Sequence, residues 1–526
     1  MAGVIITCAV ISACSSSNNS GGSLNKGKAS SGDADFSKYV AIGDSLTAGY
    51  ADGALYLFGQ QNSFPAVLAK QFAEVGGGAF EQPLVSDNFG GLVFDGAPIL
   101  DSDGNDRFEN RLVLNTDPDP TMEGELPSPE RLAGTATTEV NGSGLTGEFN
   151  NMGVPGAKSF HLLAAGLGNP AGVLPELSNP YFARFASAPG AVLIADAAMQ
   201  QPSFFTLWIG NNDVLSFATS GGVGVDQLGN PDIAGDIDPN NKYGSNDITD
   251  PTAFAGVYAQ IVGALTANPA TKGVLINIPD VSTIPFFTTV PFNPVPLDQA
   301  SADGLNAAFA AYNAGVQSLV GIAPGLTQEE ADARTLTFVA GEENALLIID
   351  EDLTDLTQIN PPSTLPLINM RQATNDDLII LPTSAKIGEL VDPNDDPKDP
   401  TSPRWGISGA LEDGDVLTAD EIQAIDTART AFNATIKAAA DADPNLVLLD
   451  ASALMTQLST AEGIDFGTGS INSKFATGGA FSLDGVHPTA RGYAFIADSI
   501  IDEINAGFNA NVFKVDPALS TTIFLK

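Results

Sequence analysis

The apolar residues of this chain fall into two patterns. Four short runs carry no polar alternation: Tyr39–Ile42 (YVAI), Phe204–Ile209 (FFTLWI), Val274–Ile278 (VLINI) and Leu446–Leu449 (LVLL). Such runs predict strands buried on both faces, as in a parallel sheet. Each is followed by Gly, Asp or Pro, as where a strand gives way to a loop. Helical patterning predicts helices over 64–75, 253–267, 301–320 and 418–442, and a last one over 488–507. Pro488 suits the first helical position, where no backbone donor is required. Strands alternating with helices imply an α/β fold on a parallel sheet, with functional loops at the carboxyl ends of the strands. Long stretches at about 76–147, 214–252 and 282–417 exceed what such a core needs and are expected to be insertions. Within the last, 333–353 and 376–383 look like added strands. No internal repeat is evident.

Composition narrows the function class. The 526 residues are 43% hydrophobic and 16% charged, a globular balance. Against 22 Lys+Arg stand 63 Asp+Glu, a net charge of −41. A surface this acidic repels phosphate backbones, so no nucleic-acid partner is expected. The two cysteines, Cys8 and Cys14, both lie near the N-terminus, so the folded body has neither a disulfide nor a thiolate zinc site. Residues 1–13 form a short apolar run ending in small residues, as in a signal peptide. The string Ile11-Ser12-Ala13-Cys14 resembles the bacterial lipoprotein signal, which implies lipidation of Cys14. A polar, Gly/Ser-rich tether is expected over 14–35 and a folded domain over 36–526.

Four short segments carry chemistry. Gly43-Asp44-Ser45-Leu46 follows the first strand, where a strand-to-helix turn exposes a serine hydroxyl and aims its own N–H at a developing oxyanion. Near the other end stands Asp484-Gly485-Val486-His487. A nucleophilic serine needs a base, and the imidazole needs a carboxylate to fix its tautomer. Asp and His three apart on one turn can meet locally. The chain has two histidines; His161, in SFHLLAAGL, reads as a packed or surface histidine on a helix. Trp208-Ile209-Gly210-Asn211-Asn212-Asp213 places an amide at a strand end. Asn151-Met152-Gly153-Val154-Pro155-Gly156-Ala157 offers a glycine N–H. Each of these last two alone reads as a turn.

In this order the blocks GDSL (43–46), NMGVPG (151–156), GNND (210–213) and DGVH (484–487) resemble those of the SGNH/GDSL hydrolase superfamily. The wider text, including VLTADEIQAIDTARTAFNATI, resembles long GDSL lipoproteins of Bacteroidetes. The resemblance implies a three-layer α/β/α, flavodoxin-like SGNH hydrolase core with a parallel sheet and large insertions. It implies Ser45 as nucleophile, Asp484 and His487 as the acid–base pair, and the Ser45 N–H, Gly156 and Asn212 as oxyanion donors. The expected activity is cleavage of carboxylic (acyl or lipid) esters through an acyl-enzyme, without cofactor or metal. A carbohydrate O-deacetylase with the same catalytic set and a non-catalytic surface binding lipoprotein are the alternatives. The expected partners are the ester substrate and, through Cys14, a bacterial and extracytoplasmic membrane, the outer one being favoured.

Two other features are weighed on their residues. Asp101-Ser102-Asp103-Gly104-Asn105-Asp106 alternates oxygen ligands as a calcium loop does but lacks its later glycine and glutamate. It and Asp392–Pro397 read as acidic surface turns. Ile284-Pro285-Phe286-Phe287-Thr288-Thr289-Val290-Pro291-Phe292 has two prolines and is not expected to form a regular helix. Its phenylalanines either line an acyl pocket or pack beneath an insertion.

Overall fold

A computed structural model describes residues 27–116, 127–232, 243–359, 366–399 and 401–526. The segment 1–13 and Cys14 lie outside these residues. The four predicted strands form side by side as β1 (Tyr39–Gly43), β3 (Phe204–Trp208), β4 (Lys272–Ile276) and β5 (Leu446–Leu449). A fifth, β2 (Asn151–Gly153), occupies the edge beside β1. It coincides with the block expected to be only a turn; three residues are too short for a periodicity to register. All five run parallel in the order 2-1-3-4-5. The order reverses between β1 and β3, and a crevice opens outside the carboxyl ends of strands at such a point.

Successive strand side chains point to opposite faces, and both faces are covered. The principal helices of this core are α1 (Ser45–Ala48), α2 (Phe64–Ala73), α3 (Leu193–Met199) and α4 (Asn212–Thr219). They continue as α5 (Pro251–Leu265), α6 (Ala419–Ala442), α7 (Ala451–Leu458) and α8 (Ala490–Gly507). Tyr39, Ala41, Phe204, Val274 and Ile276 pack with Phe64, Leu68 and Phe72 of α2 and with Tyr493, Ala497 and Ile501 of α8. Val40, Ile42, Phe205, Leu207 and Leu275 face the other way, onto α3, α5 and α6 through Leu193, Tyr258 and Phe432. Burying each large apolar side chain contributes about 1.5–3 kcal/mol.

Helix starts follow their caps. Ser63 accepts the Ala66 N–H, and Asp250 accepts those of Thr252 and Ala253 just ahead of Pro251. Thr418 and Glu421 form a reciprocal capping box on α6. The α8 cap is Thr489, whose hydroxyl accepts the Gly492 N–H. Pro488 therefore stands before the helix rather than at its first position.

The insertions pack as satellites. The helix predicted over 301–320 forms as Gln299–Ser318, but inside the third insertion. There Phe309 and Tyr312 share a cluster with Leu347 and Met370. Of the added strands, Gly341–Asn344, Leu347–Ile349 and Leu378–Ile379 appear, each in a two-stranded ribbon. Residues 214–219 belong to the core, because Val214, Phe217 and Ala218 of α4 are buried against α5 and α6. The end of the expected tether is docked too. Ser30 bridges Asn511, Asp33 donates its N–H to Phe508 O, and Ala34 is buried. At the other terminus the Arg111 guanidinium lies over the Phe524 ring, 4.3 Å from its centroid, and Lys526 N–H bonds Leu114 O. No helix among the described residues is long and apolar enough to cross a membrane.

Candidate active site

Ser45 opens α1 directly after β1, and the turn that presents it leaves no room for a side chain at residue 43. A Cβ on Gly43 would lie 2.2 Å from Trp208 O and 2.3 Å from Thr47 Oγ1. The buried Asp44 caps the turn. Its Oδ1 accepts the Leu46 N–H at 3.0 Å and its Oδ2 accepts Asn211 Nδ2 at 2.8 Å. Burial pushes the Asp44 carboxyl up to about 6 against the pull of those two donors. Gly49, with φ of 88°, closes the short helix. The loops after β1 and β3 are thereby tied together at the point where the sheet order reverses.

His487 reaches the same place from the opposite end of the chain. Its Nε2 lies 2.9 Å from Ser45 Oγ and its Nδ1 lies 2.9 Å from Asp484 Oδ2. Asp484 collects further donors. Oδ2 takes the Gly53 N–H at 2.8 Å; Oδ1 takes the Val486 and His487 N–H groups and the Ser482 hydroxyl. Burial alone would raise this carboxyl, but the His487 charge and these hydrogen bonds hold it down to about 2. An ionised carboxylate only accepts, so Nδ1 carries the proton and Nε2 is left to accept from the Ser45 hydroxyl. Tyr50 lies against the imidazole, ring centroids 4.6 Å apart, and Tyr493 bonds the Tyr50 carbonyl through its hydroxyl. A hydroxyl, an imidazole and a carboxylate aligned this way can move the serine proton as its oxygen attacks an electrophile.

The expected oxyanion donors stand on neighbouring loops. Asn212 begins α4, buried, with Nδ2 donating to Ala157 O at 3.0 Å. The carbonyl it holds adjoins Gly156, an exposed glycine at φ of 77°. Gly153 is engaged otherwise. Its N–H is donated to Asn151 Oδ1, and a Cβ there would strike the α1 backbone at Ala48 N, 2.3 Å away. Asp213 anchors the β3 loop by accepting the Ser159 N–H and hydroxyl at 2.8 and 2.7 Å.

An apolar cavity borders Ser45 and His487; its empty space comes to about 880 Å³ only when the open solvent at its mouth is counted. Ile284 of the phenylalanine-rich segment lines it, but none of the segment's phenylalanines does. Phe287 is 1% exposed within the core and Phe286 packs against it, so these rings hold the insertion down. Pro285–Thr288 also forms a short helix, with Pro285 at the first position, where it is tolerated. That segment still touches the Asp484–His487 turn, since Phe286 N–H bonds Gly485 O.

Other candidate residues take structural roles. His161 is packed in a 3₁₀ turn; its Nδ1 accepts the Lys158 N–H, and burial plus the Lys158 charge push it down to about 4. Asp101 folds its loop onto itself by accepting the Asp103 and Asn105 N–H groups. Asp392 does the same with Asn394. Among the described residues, one group of side chains comes close enough to share a cation: Glu351, Asp413 and Glu421, where the third insertion meets α6.

Gly53, Ser482 and Tyr50 join the site as partners of Asp484 and His487 although no motif marks them, and Asn211 of the GNND block holds Asp44. Gly53 lies in a turn eight residues beyond Ser45, and only the fold brings its N–H to Asp484. No protein-family model, curated protein or solved structure matches the chain.

Proposed function

We propose that this protein is a serine ester hydrolase with a three-layer, flavodoxin-like SGNH/GDSL-type core. The observation that carries the reading is the Ser45–His487–Asp484 alignment, with both contacts at 2.9 Å. In the proposed reaction, Ser45 Oγ bonds to the ester carbonyl carbon as its proton passes to His487 Nε2. The Ser45 N–H, Gly156 N–H and Asn212 amide donate to the resulting oxyanion. The carbon–oxygen bond to the alcohol then breaks, and the leaving alkoxide takes the proton from His487. Water, deprotonated by His487, attacks the acyl-enzyme and releases the acid and free Ser45. Each step needs only these side chains and water. Hydrolysis of p-nitrophenyl esters and labelling by a fluorophosphonate probe, both lost in Ser45→Ala, test the reading. An active, labelled Ser45→Ala variant would overturn it.

We infer an extracytoplasmic, lipid-anchored location from Cys14 and the run before it. The full chain expressed in a bacterial host should partition with membranes, and Cys14→Ala should release it. Unchanged partition of the variant rejects the anchor.

A further inference from the structure

We propose that the cavity beside Ser45 is an acyl-chain site and that the preferred substrates are esters of straight, medium-length fatty acids. This rests on the hydrolase reading above and adds the substrate class to it. The cavity is polar only at its catalytic end. Ser45, Asn211, His487 and Trp208 are the lining residues with polar side chains, and the Trp208 N–H is already donated to Asn277 O. Sugar hydroxyls buried along the rest would find no partners, each at a desolvation cost. A hydrocarbon chain requires none.

The wall also has a direction and a length. Ala451, Leu454, Met455 and Leu458 of α7 all line the cavity. Their spacing of i, i+3, i+4 and i+7 places them on one face of the helix. At 1.5 Å rise per residue the stripe extends about 10 Å. An extended chain advances about 1.2 Å per bond, a third of its ~3.6 Å per residue. The stripe therefore accompanies about eight or nine bonds of an acyl chain. Ile471, Phe481 and Phe495, all buried, contribute to the lining with it. Acyl chains of about eight to ten carbons match this wall, whereas an acetyl group leaves nearly all of it without contact.

Burial of one methylene contributes about 0.8 kcal/mol, about fourfold in kcat/KM. Half of that gain, over the six methylenes separating octanoate from acetate, still amounts to ~60-fold. The experiment is a kcat/KM series on p-nitrophenyl acetate through palmitate with the folded enzyme. It includes Leu458→Trp and Leu454→Phe, two half-buried positions, with fluorophosphonate labelling run in parallel. The expected result is a maximum near octanoate or decanoate, at least tenfold above acetate. In either variant the octanoate-to-acetate ratio should fall at least tenfold while labelling persists. A labelled, active enzyme with a flat or acetate-preferring profile overturns the acyl site and leaves the hydrolase standing. Ratios unmoved in both folded variants overturn the assignment to this cavity. Absence of both labelling and hydrolysis removes the hydrolase reading and the acyl site with it.

Discussion

Replacing Asp484 by Asn changes one atom's hydrogen-bonding sense and should nearly silence the proposed hydrolysis. In the native site the carboxylate accepts five donors, two of them, His487 Nδ1 and the Gly53 N–H, on Oδ2. An Asn can keep its oxygen toward Ser482, Val486 and His487 N–H, which leaves its NH₂ facing Gly53 and the imidazole. The imidazole relieves the donor–donor conflict by moving its proton to Nε2. That nitrogen then donates toward Ser45 Oγ instead of accepting from it, and the base is lost. The same exchange in a serine protease triad lowers kcat by about 10⁴, about 5.4 kcal/mol of barrier. Asp484→Asn should therefore lose about 10³–10⁴ in kcat on p-nitrophenyl octanoate, with KM changed far less. The stranded Gly53 N–H adds a stability loss of about 1–3 kcal/mol, readable as a lower Tm. Because the residues act as one unit, adding Asp484→Asn to Ser45→Ala should cost little further activity. Retention of kcat within tenfold in Asp484→Asn, or a double variant whose losses simply multiply, would refute this account of the turn.

Three further outcomes test other parts of the structure. Gly43→Ala forces a methyl against Trp208 O and Thr47 Oγ1; it should lower stability by about 1–3 kcal/mol and abolish labelling of Ser45, measured by thermal melting and probe gel. Burial and the neighbouring charges of Glu351 and Asp413 push Glu421 up to about 8 despite the Thr418 donors. The folded state thus holds a proton that the unfolded chain releases near 4.5, and Glu421's contribution to stability falls as pH rises from about 4.5 to 8. Glu421→Gln should flatten the Tm-versus-pH curve over that window, and an unchanged slope refutes the linkage. Phe287→Ala should cost about 3–5 kcal/mol as a buried large-to-small change, depressing short and long esters alike; a selective loss on long esters would contradict its place in the core.

The sheet was legible because its strands are buried on both faces: Val40 and Tyr39 face opposite layers, and the one buried polar residue within β3, Thr206, bonds the Tyr39 hydroxyl. Ser45, Asp484 and His487 were legible for a different reason. Proton transfer restricts which side chains can serve, and the chain offers two histidines, one of them locked in a 3₁₀ turn. What stayed hidden depends on contacts between distant segments. Gly53 supports Asp484 through a backbone N–H that every residue type but proline possesses, so no side-chain pattern marks it. The phenylalanine-rich segment sits after β4, where site loops gather, yet its rings turn into the core. The apolar stripe of α7 has ordinary helical spacing, and only its neighbours make it a cavity wall instead of a packed face.

The serine follows the first strand, whereas the histidine waits for the last turn before α8. During synthesis, a chain made as far as residue 480 carries Ser45 without Asp484 or His487. Its Gly53 N–H and Asp52 N–H have no Asp484 or Ser482 to meet. On the proposed reading, hydrolytic competence waits for the turn before α8 to meet Ser45, a contact between residues 442 positions apart in sequence. A copy truncated before Asp484 would lack the proposed acid–base pair, whatever the rest of its fold. The order of residues along the polypeptide would thus delay the proposed activity until the segment carrying His487 has been made.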